Sequence, residues 1–188
     1  MTQTIVVADN VFDFRVCHLG EGPLWHPLQE RWYWFDILQN QLLARDTRGS
    51  YSWGFDEMVS AAGWIDKNNL LIASETGLYI FNTLSPNGTR RLIVELESSN
   101  HLTRSNDGRA DPWGGFWIGT MGKQAELGLG SIYRYYQGQM CRLVTGITIT
   151  NSICFAPDKT CAYFADTPSQ QIMRQPLDGQ GWPKGQAE

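Results

Sequence analysis

The chain has 188 residues, of which 42% are hydrophobic and 18% charged, a globular composition and not a disordered one. Its formal charge of −4 argues against nonspecific binding to nucleic acid or to an anionic membrane. No apolar run approaches the roughly 18 residues of a membrane span, and residues 1–14, MTQTIVVADNVFDF, lack the basic region and apolar core of a signal peptide, so a cytoplasmic location is expected.

In chain order, 4–9 (TIVVAD) and 12–17 (FDFRVC) read as strands ahead of the first full unit. In closed propellers such an N-terminal strand often completes the last blade. Four segments then align: WHPLQERWYWFDI (25–37), WIDKNNLLIASE (64–75), ADPWGGFWIGTM (110–121) and FAPDKTCAYFADT (155–167). Each runs through a turn rich in Pro, Asp, Gly or Lys into an aromatic or aliphatic strand. A second strand follows each, at 41–46, 77–83, 130–136 and 170–177. The tail GWPKGQAE (181–188) is turn-rich and carries no expected strand.

The repeat recurs every roughly 40–46 residues, the size of one four-stranded propeller blade. A β-sandwich of hairpins is the alternative, less suited to turns that align so regularly. No window shows the i, i+3, i+4, i+7 apolar pattern of an amphipathic helix. The strand after each turn is apolar almost throughout and must be covered on both faces; it is taken here as the inner strand. The next one alternates, with Ile132 and Tyr133 against Arg134. The expectation is an all-β propeller of about four blades, the fourth incomplete.

Three polar groups stand at similar offsets ahead of these strands: Glu21 in HLGEGPLW (18–25), Arg104 and Asn106 in RSNDG (104–108), and Asn151 in ITNSICF (149–155). Equivalent offsets in a propeller point to one end of the channel. Glutamate and asparagine oxygens suit Ca²⁺, Mg²⁺ or Mn²⁺, with Zn²⁺ also open. Arg104 offers paired donors to a carboxylate or polarised oxygen. Plainer readings stand beside these. Glu21 fits a solvated loop, and Asn151 fits a turn cap. Asn106-Asp107-Gly108 is by itself a hairpin-turn signal, with Asp111-Pro112 the outer turn. Asp36 and Asp166 occupy matching strand ends and read as acceptors for backbone N–H groups. His18, His26 and His101 share no metal-ligand spacing. Cys17, Cys141, Cys154 and Cys161 form no C-x-x-C pair and read as reduced, buried thiols. The triplet Asn87-Gly88-Thr89 has the form of a glycosylation acceptor and reads as a turn. No nucleophile elbow, phosphate loop or Cys/His zinc pattern is present.

Taken together, LGEGPLWHPLQERWYWFDI, RSNDGRADPWGGFWIGTM and TNSICFAPDKTCAYFADT resemble the SMP-30/gluconolactonase/luciferin-regenerating family, from about Glu21 to near Leu177. The blocks are specific in combination and weak singly. The resemblance implies a six-bladed β-propeller, one divalent metal (Ca, Zn, Mn or Mg) at the channel mouth, and hydrolysis of sugar lactones. By motif it implies Glu21 and Asn151 as metal ligands, and Arg104 and Asn106 as residues facing the lactone and water. A further family glutamate falls in GKQAELGLG (122–130), at Gln124 or Glu126, with Glu126 favoured for its carboxylate. The family's last metal ligand and general base, an aspartate, is expected beyond residue 188. Residues 1–188 therefore read as one SMP-30/gluconolactonase-like domain, truncated at the C-terminus, whose exposed blade edges invite self-association. The alternatives are a noncatalytic calcium-binding protein on the same scaffold, or an inactive fragment.

Overall fold

The structure, a computed structural model, describes residues 11–85 and 89–188. The strand expected at 4–9 and the Asn87-Gly88 turn lie outside the described residues. The rest folds into four antiparallel sheets in chain order, each one blade. The first holds β1 (Gly20–His26), β2 (Arg31–Asp36), β3 (Gln41–Asp46) and β4 (Gly49–Gly54). The second holds β5 (Val59–Trp64), β6 (Asn69–Ser74), β7 (Gly77–Asn82) and β8 (Arg90–Glu95). The third holds β9 (Thr103–Ala110), β10 (Phe116–Gly122), β11 (Gly130–Tyr136) and β12 (Gln139–Ile147). The fourth has three strands, β13 (Thr150–Phe155), β14 (Cys161–Asp166) and β15 (Gln171–Pro176).

The apolar strands are the second of each sheet, β2, β6, β10 and β14. Their positions between two partner strands, with blades on their faces, explain their composition. Tyr33, Phe35, Leu70, Ile72, Trp117, Ile118, Ala162 and Phe164 are all buried. The core is divided into three clusters, each shared by neighbouring blades: the first spans Tyr33 to Phe81, the next joins Ala61 and Leu78 to Phe116 and Ile118, and the last joins Trp117 and Ile132 to Ile153 and Phe164. No blade buries its own faces, so stacking supplies the stability.

This order corrects the sequence reading of the inner strand. The innermost strands are β1, β5, β9 and β13, which make successive contacts β1–β5, β5–β9 and β9–β13. The polar groups expected just ahead of the inner strands are therefore within them. Two smaller corrections follow, on residues 12–17 and on the thiols, while the 181–188 tail forms no strand, as expected. FDFRVC forms no strand; Arg15 in it donates to the carbonyls of Ala44 and Tyr51, 2.9 Å each. The 181–188 tail runs along β15, where Arg174 and Glu188 exchange backbone hydrogen bonds of 2.7 and 3.0 Å. Among the four free thiols only Cys161 is buried, and Cys154 is exposed.

Arg134, expected on the polar side of its strand, is wholly buried and pairs with Asp111 at 2.7 Å. Asp111 also accepts the N–H groups of Trp113 and Gly115, at 2.9 and 2.8 Å. The guanidinium lies 4.4 Å from the Trp182 ring centre and 4.5 Å from that of Tyr136. This set pins the turn between β9 and β10, because leaving one member of such a pair buried alone costs about 3–5 kcal/mol.

Candidate functional site

Every inner strand carries the same irregularity. The pairing of each with its second strand slips by a residue: between Glu21 and Leu24 in β1, Val59 and Ala61 in β5, Ser105 and Gly108 in β9, and Asn151 and Cys154 in β13. Such β-bulges bend the strand and re-aim its side chains. At two of them the residue after the slip point is left-handed, Gly22 with φ of 60° and Ser152 with φ of 61°. Asn106-Asp107-Gly108 is therefore a bulge inside an eight-residue strand, not a hairpin turn. The hairpin turn is the one at 111–115.

Glu21, Ser60, Arg104 and Asn151 each occupy the second position of their inner strand; Glu21 and Asn151 stand immediately before the slip and Ser60 within it, whereas Arg104 stands one residue before Ser105, where that of β9 begins. Three of the sequence-selected residues are brought into direct connection. Arg104 Nη1 donates to Asn106 Oδ1 at 2.8 Å and to the Ser105 carbonyl at 2.9 Å. Asn106 Nδ2 donates to the Thr150 carbonyl at 2.8 Å and, at 3.4 Å, to Asn151 Oδ1. Asn151 Nδ2 donates to Thr167 Oγ1 at 2.8 Å, which turns its Oδ1 away from β14. Glu21 joins them electrostatically. Burial lowers the basicity of Arg104, while the charges of Glu21 and Glu75 raise it in part.

Glu75 was not selected from the sequence, although it ends the aligned segment WIDKNNLLIASE as Asp36 and Asp166 nearly end theirs. Its Oε1 accepts the Met58 N–H at 3.1 Å, and its other oxygen pairs with Lys123 of the third blade. Asp36 and Asp166 do the same job as expected. Asp36 accepts the N–H groups of His18 and Leu19, and Asp166 those of Thr148 and Ile149, all within 2.9–3.0 Å. Ser60, also missed, hydrogen-bonds Ser105 at 2.7 Å. A serine in an alanine-rich strand gives no sequence signal for a site.

Glu126 lies elsewhere in the arrangement. Its carboxylate folds back against Gly122 and accepts the Gln124 N–H at 3.0 Å. Of the histidines, His26 Nε2 bonds the Asp66 carbonyl at 2.9 Å, and His18 pairs with Gln39. Among the described residues no group of three or more His, Cys, Asp or Glu side chains gathers as a metal site. Oxygen donors of the other kind are present. Glu21 makes no hydrogen bond or ion pair among the described residues, and Asn151 Oδ1 has only its 3.4 Å contact. A carboxylate and an amide oxygen without strong partners fit a hard cation.

Comparison with known proteins bears on this arrangement. The model of the SMP-30/gluconolactonase/LRE-like region matches residues 19–187. This chain belongs to that family. It is similar to a solved calcium-binding protein, regucalcin, from Agrobacterium tumefaciens: 43% identity, TM-score 0.88, covering 92% of this chain and 59% of that one. It is 33% identical to the 6-deoxy-6-sulfogluconolactonase of Pseudomonas putida over 168 residues, 88% of this chain and 57% of that protein. A luciferin-regenerating enzyme at 21% identity shares the fold, with TM-score 0.85 and coverage of 92% and 60%. The chain thus spans under two thirds of the length of these relatives. The family assignment and the all-β propeller agree with the sequence reading. Among the described residues no helix is long and apolar enough to cross a membrane.

Proposed function

We propose that the four blades carry the larger part of a metal-dependent sugar lactonase site. The observation behind this reading is the alignment of Glu21, Arg104 and Asn151 at one position of three inner strands, with Asn106 linking the last two. Relatives named as lactonases at 33% identity support the reaction class. The substrate is a small sugar lactone.

Glu21 and Asn151 hold the cation, whose chemistry when bound is Lewis-acid polarisation of an oxygen and acidification of water. The remaining work falls to this chain's side chains. Arg104 uses only Nη1 among the described hydrogen bonds, so its other donors are available to the lactone oxygen that gains negative charge. Partial burial strengthens that contact by excluding water. Asn106 braces Arg104 through Oδ1 and retains one weakly used N–H for a ligand oxygen. Glu126 acts, in this reading, as a substrate-side group from the loop after β10.

The test is acid release from glucono-1,5-lactone and pentonolactones, with and without EDTA and with Ca²⁺, Mn²⁺, Mg²⁺ or Zn²⁺ restored. Metal-dependent turnover abolished by Glu21→Ala supports the proposal. Tight Ca²⁺ binding without turnover on any lactone supports instead a noncatalytic calcium-binding protein; the regucalcin relative is described as calcium-binding. Neither turnover nor metal binding refutes both.

A further inference from the structure

The bulges of the first and fourth blades hold their oxygen donors in the same way but are secured differently. In β1 the residue after Glu21 is Gly22, with φ of 60°. Glycine adopts this left-handed conformation without strain. A Cβ there would also crowd the Ser60 carbonyl and the Phe35 ring. In β13 the residue after Asn151 is Ser152, with φ of 61°, a conformation that an L-residue with a side chain resists.

That bulge is gripped from β9. Asp107 Oδ2 accepts the Ile153 N–H at 2.7 Å. Arg109 Nε donates to the Ile153 carbonyl at 3.2 Å, and Asn106 Nδ2 to the Thr150 carbonyl at 2.8 Å. Both backbone groups of Ile153, and the carbonyl just before Asn151, are thus held by three side chains of a neighbouring blade. Asp107 makes the shortest of these bonds, and Ile153 is buried.

Resting on the reading of Asn151 as a cation ligand, we propose that Asp107 is a positioning residue: it locks the strained Ser152 bulge so that Asn151 Oδ1 faces the channel mouth. It touches neither substrate nor cation. Its neighbours Arg104 and Asn106 supply chemistry; Asp107 supplies the geometry of the adjacent blade.

The experiment compares Asp107→Leu, Asp107→Asn and the double variant Asp107→Leu/Ser152→Gly with the full wild-type chain. Calorimetry with Mn²⁺ reads affinity, and thermal melting of the metal-free protein reads folding. Asp107→Leu is expected to weaken Mn²⁺ binding about 10- to 100-fold, the usual range for groups that orient a ligand. Asp107→Asn, which keeps an acceptor oxygen, retains most of the affinity, and Ser152→Gly restores part of it by relieving the strain. Phe164→Leu, in the fourth-blade core, is the control for lost stability: it lowers the melting temperature without a matching loss of affinity. Unchanged Mn²⁺ affinity in Asp107→Leu, or no recovery in the double variant, overturns the proposal. A wild-type chain that binds no Mn²⁺ refutes the metal reading itself. In that case the side-chain amide NMR signals of Asn151 in the metal-free protein decide about Asp107. They shift in Asp107→Leu and recover with Ser152→Gly if Asp107 positions Asn151, and a lack of change overturns it.

Discussion

The inner strands of the second and third blades lie side by side, each carries a bulge, and they are joined by the Ser60–Ser105 hydrogen bond of 2.7 Å. Their contents are opposite. β5 reads VSAAGW, with Val59, Ser60, Ala61 and Ala62 all buried, whereas β9 reads TRSNDGRA and carries the arginine, asparagine and aspartate of the site. The blade scaffold depends on the apolar second strands, β6 and β10, which are buried in both cases. Inner strands join the core where they are apolar, as Val59, Ala61 and Ala62 of β5 do. The third blade gives its inner strand the polar residues proposed for the site, and the second packs small residues beside them.

The largest expected contrast is functional. Removing a preorganised charge-stabilising donor lowers kcat by about 10²–10³-fold, so Arg104→Ala should do this in a metal-supported lactone assay. Ser60→Ala at the equivalent position of β5 should change kcat less than about threefold, since a single neutral hydrogen bond contributes about 0.5–1.5 kcal/mol to stability and touches no substrate. Equal losses in the two variants would erase the distinction between the strands.

A smaller effect probes these small residues. Ala61 is fully buried, and the Cβ position built on Gly108 lies 3.2 Å from its side chain. Ala61→Leu should overpack this contact and destabilise the fold by about 1–3 kcal/mol, read as a lower denaturation midpoint at unchanged slope. A midpoint equal to that of the parent would show that the β5–β9 gap has slack and that close approach is not its purpose.

The smallest effect concerns a segment remote from both strands. The Arg15 guanidinium beside Asp13 holds its carboxyl down, from 3.8 to about 2. A depressed carboxylate contributes stability fully above its unfolded value of 3.8, and the contribution is lost as pH falls through about 2. Asp13→Asn should therefore flatten the acid side of the stability curve between about pH 4 and 2 while leaving lactone turnover at neutral pH unaltered. A change in turnover would tie residues 11–19 to the site and weaken the assignment of chemistry to β9.

Much of this was legible in the residues. Aligned turns and apolar strands gave the repeat, because a strand buried on both faces has a composition that survives without its partners in view. Glu21, Arg104 and Asn151 stood out because charged and amide side chains at one offset of a repeat share one end of a channel. The order of strands within a blade was not legible. An apolar run shows that a strand is covered, not whether it is first or second from the axis. Nor could N-D-G be told from a hairpin turn, since the same short polar residues and glycine occur in both. Glu75 was passed over because its ion pair with Lys123 crosses two blades, and Ser152 because nothing local marks it as left-handed.

By itself, then, the sequence determined the repeat, the family and the residue types of the site, all of which follow from local composition and spacing. Only the tertiary structure decided that the candidate site lies on and beside bulges, that Asn106 links Arg104 to Asn151, and that Asp107 grips the adjacent blade. Those contacts join residues 44 to 46 positions apart, and they exist only because stacked blades bring two inner strands edge to edge around a common axis.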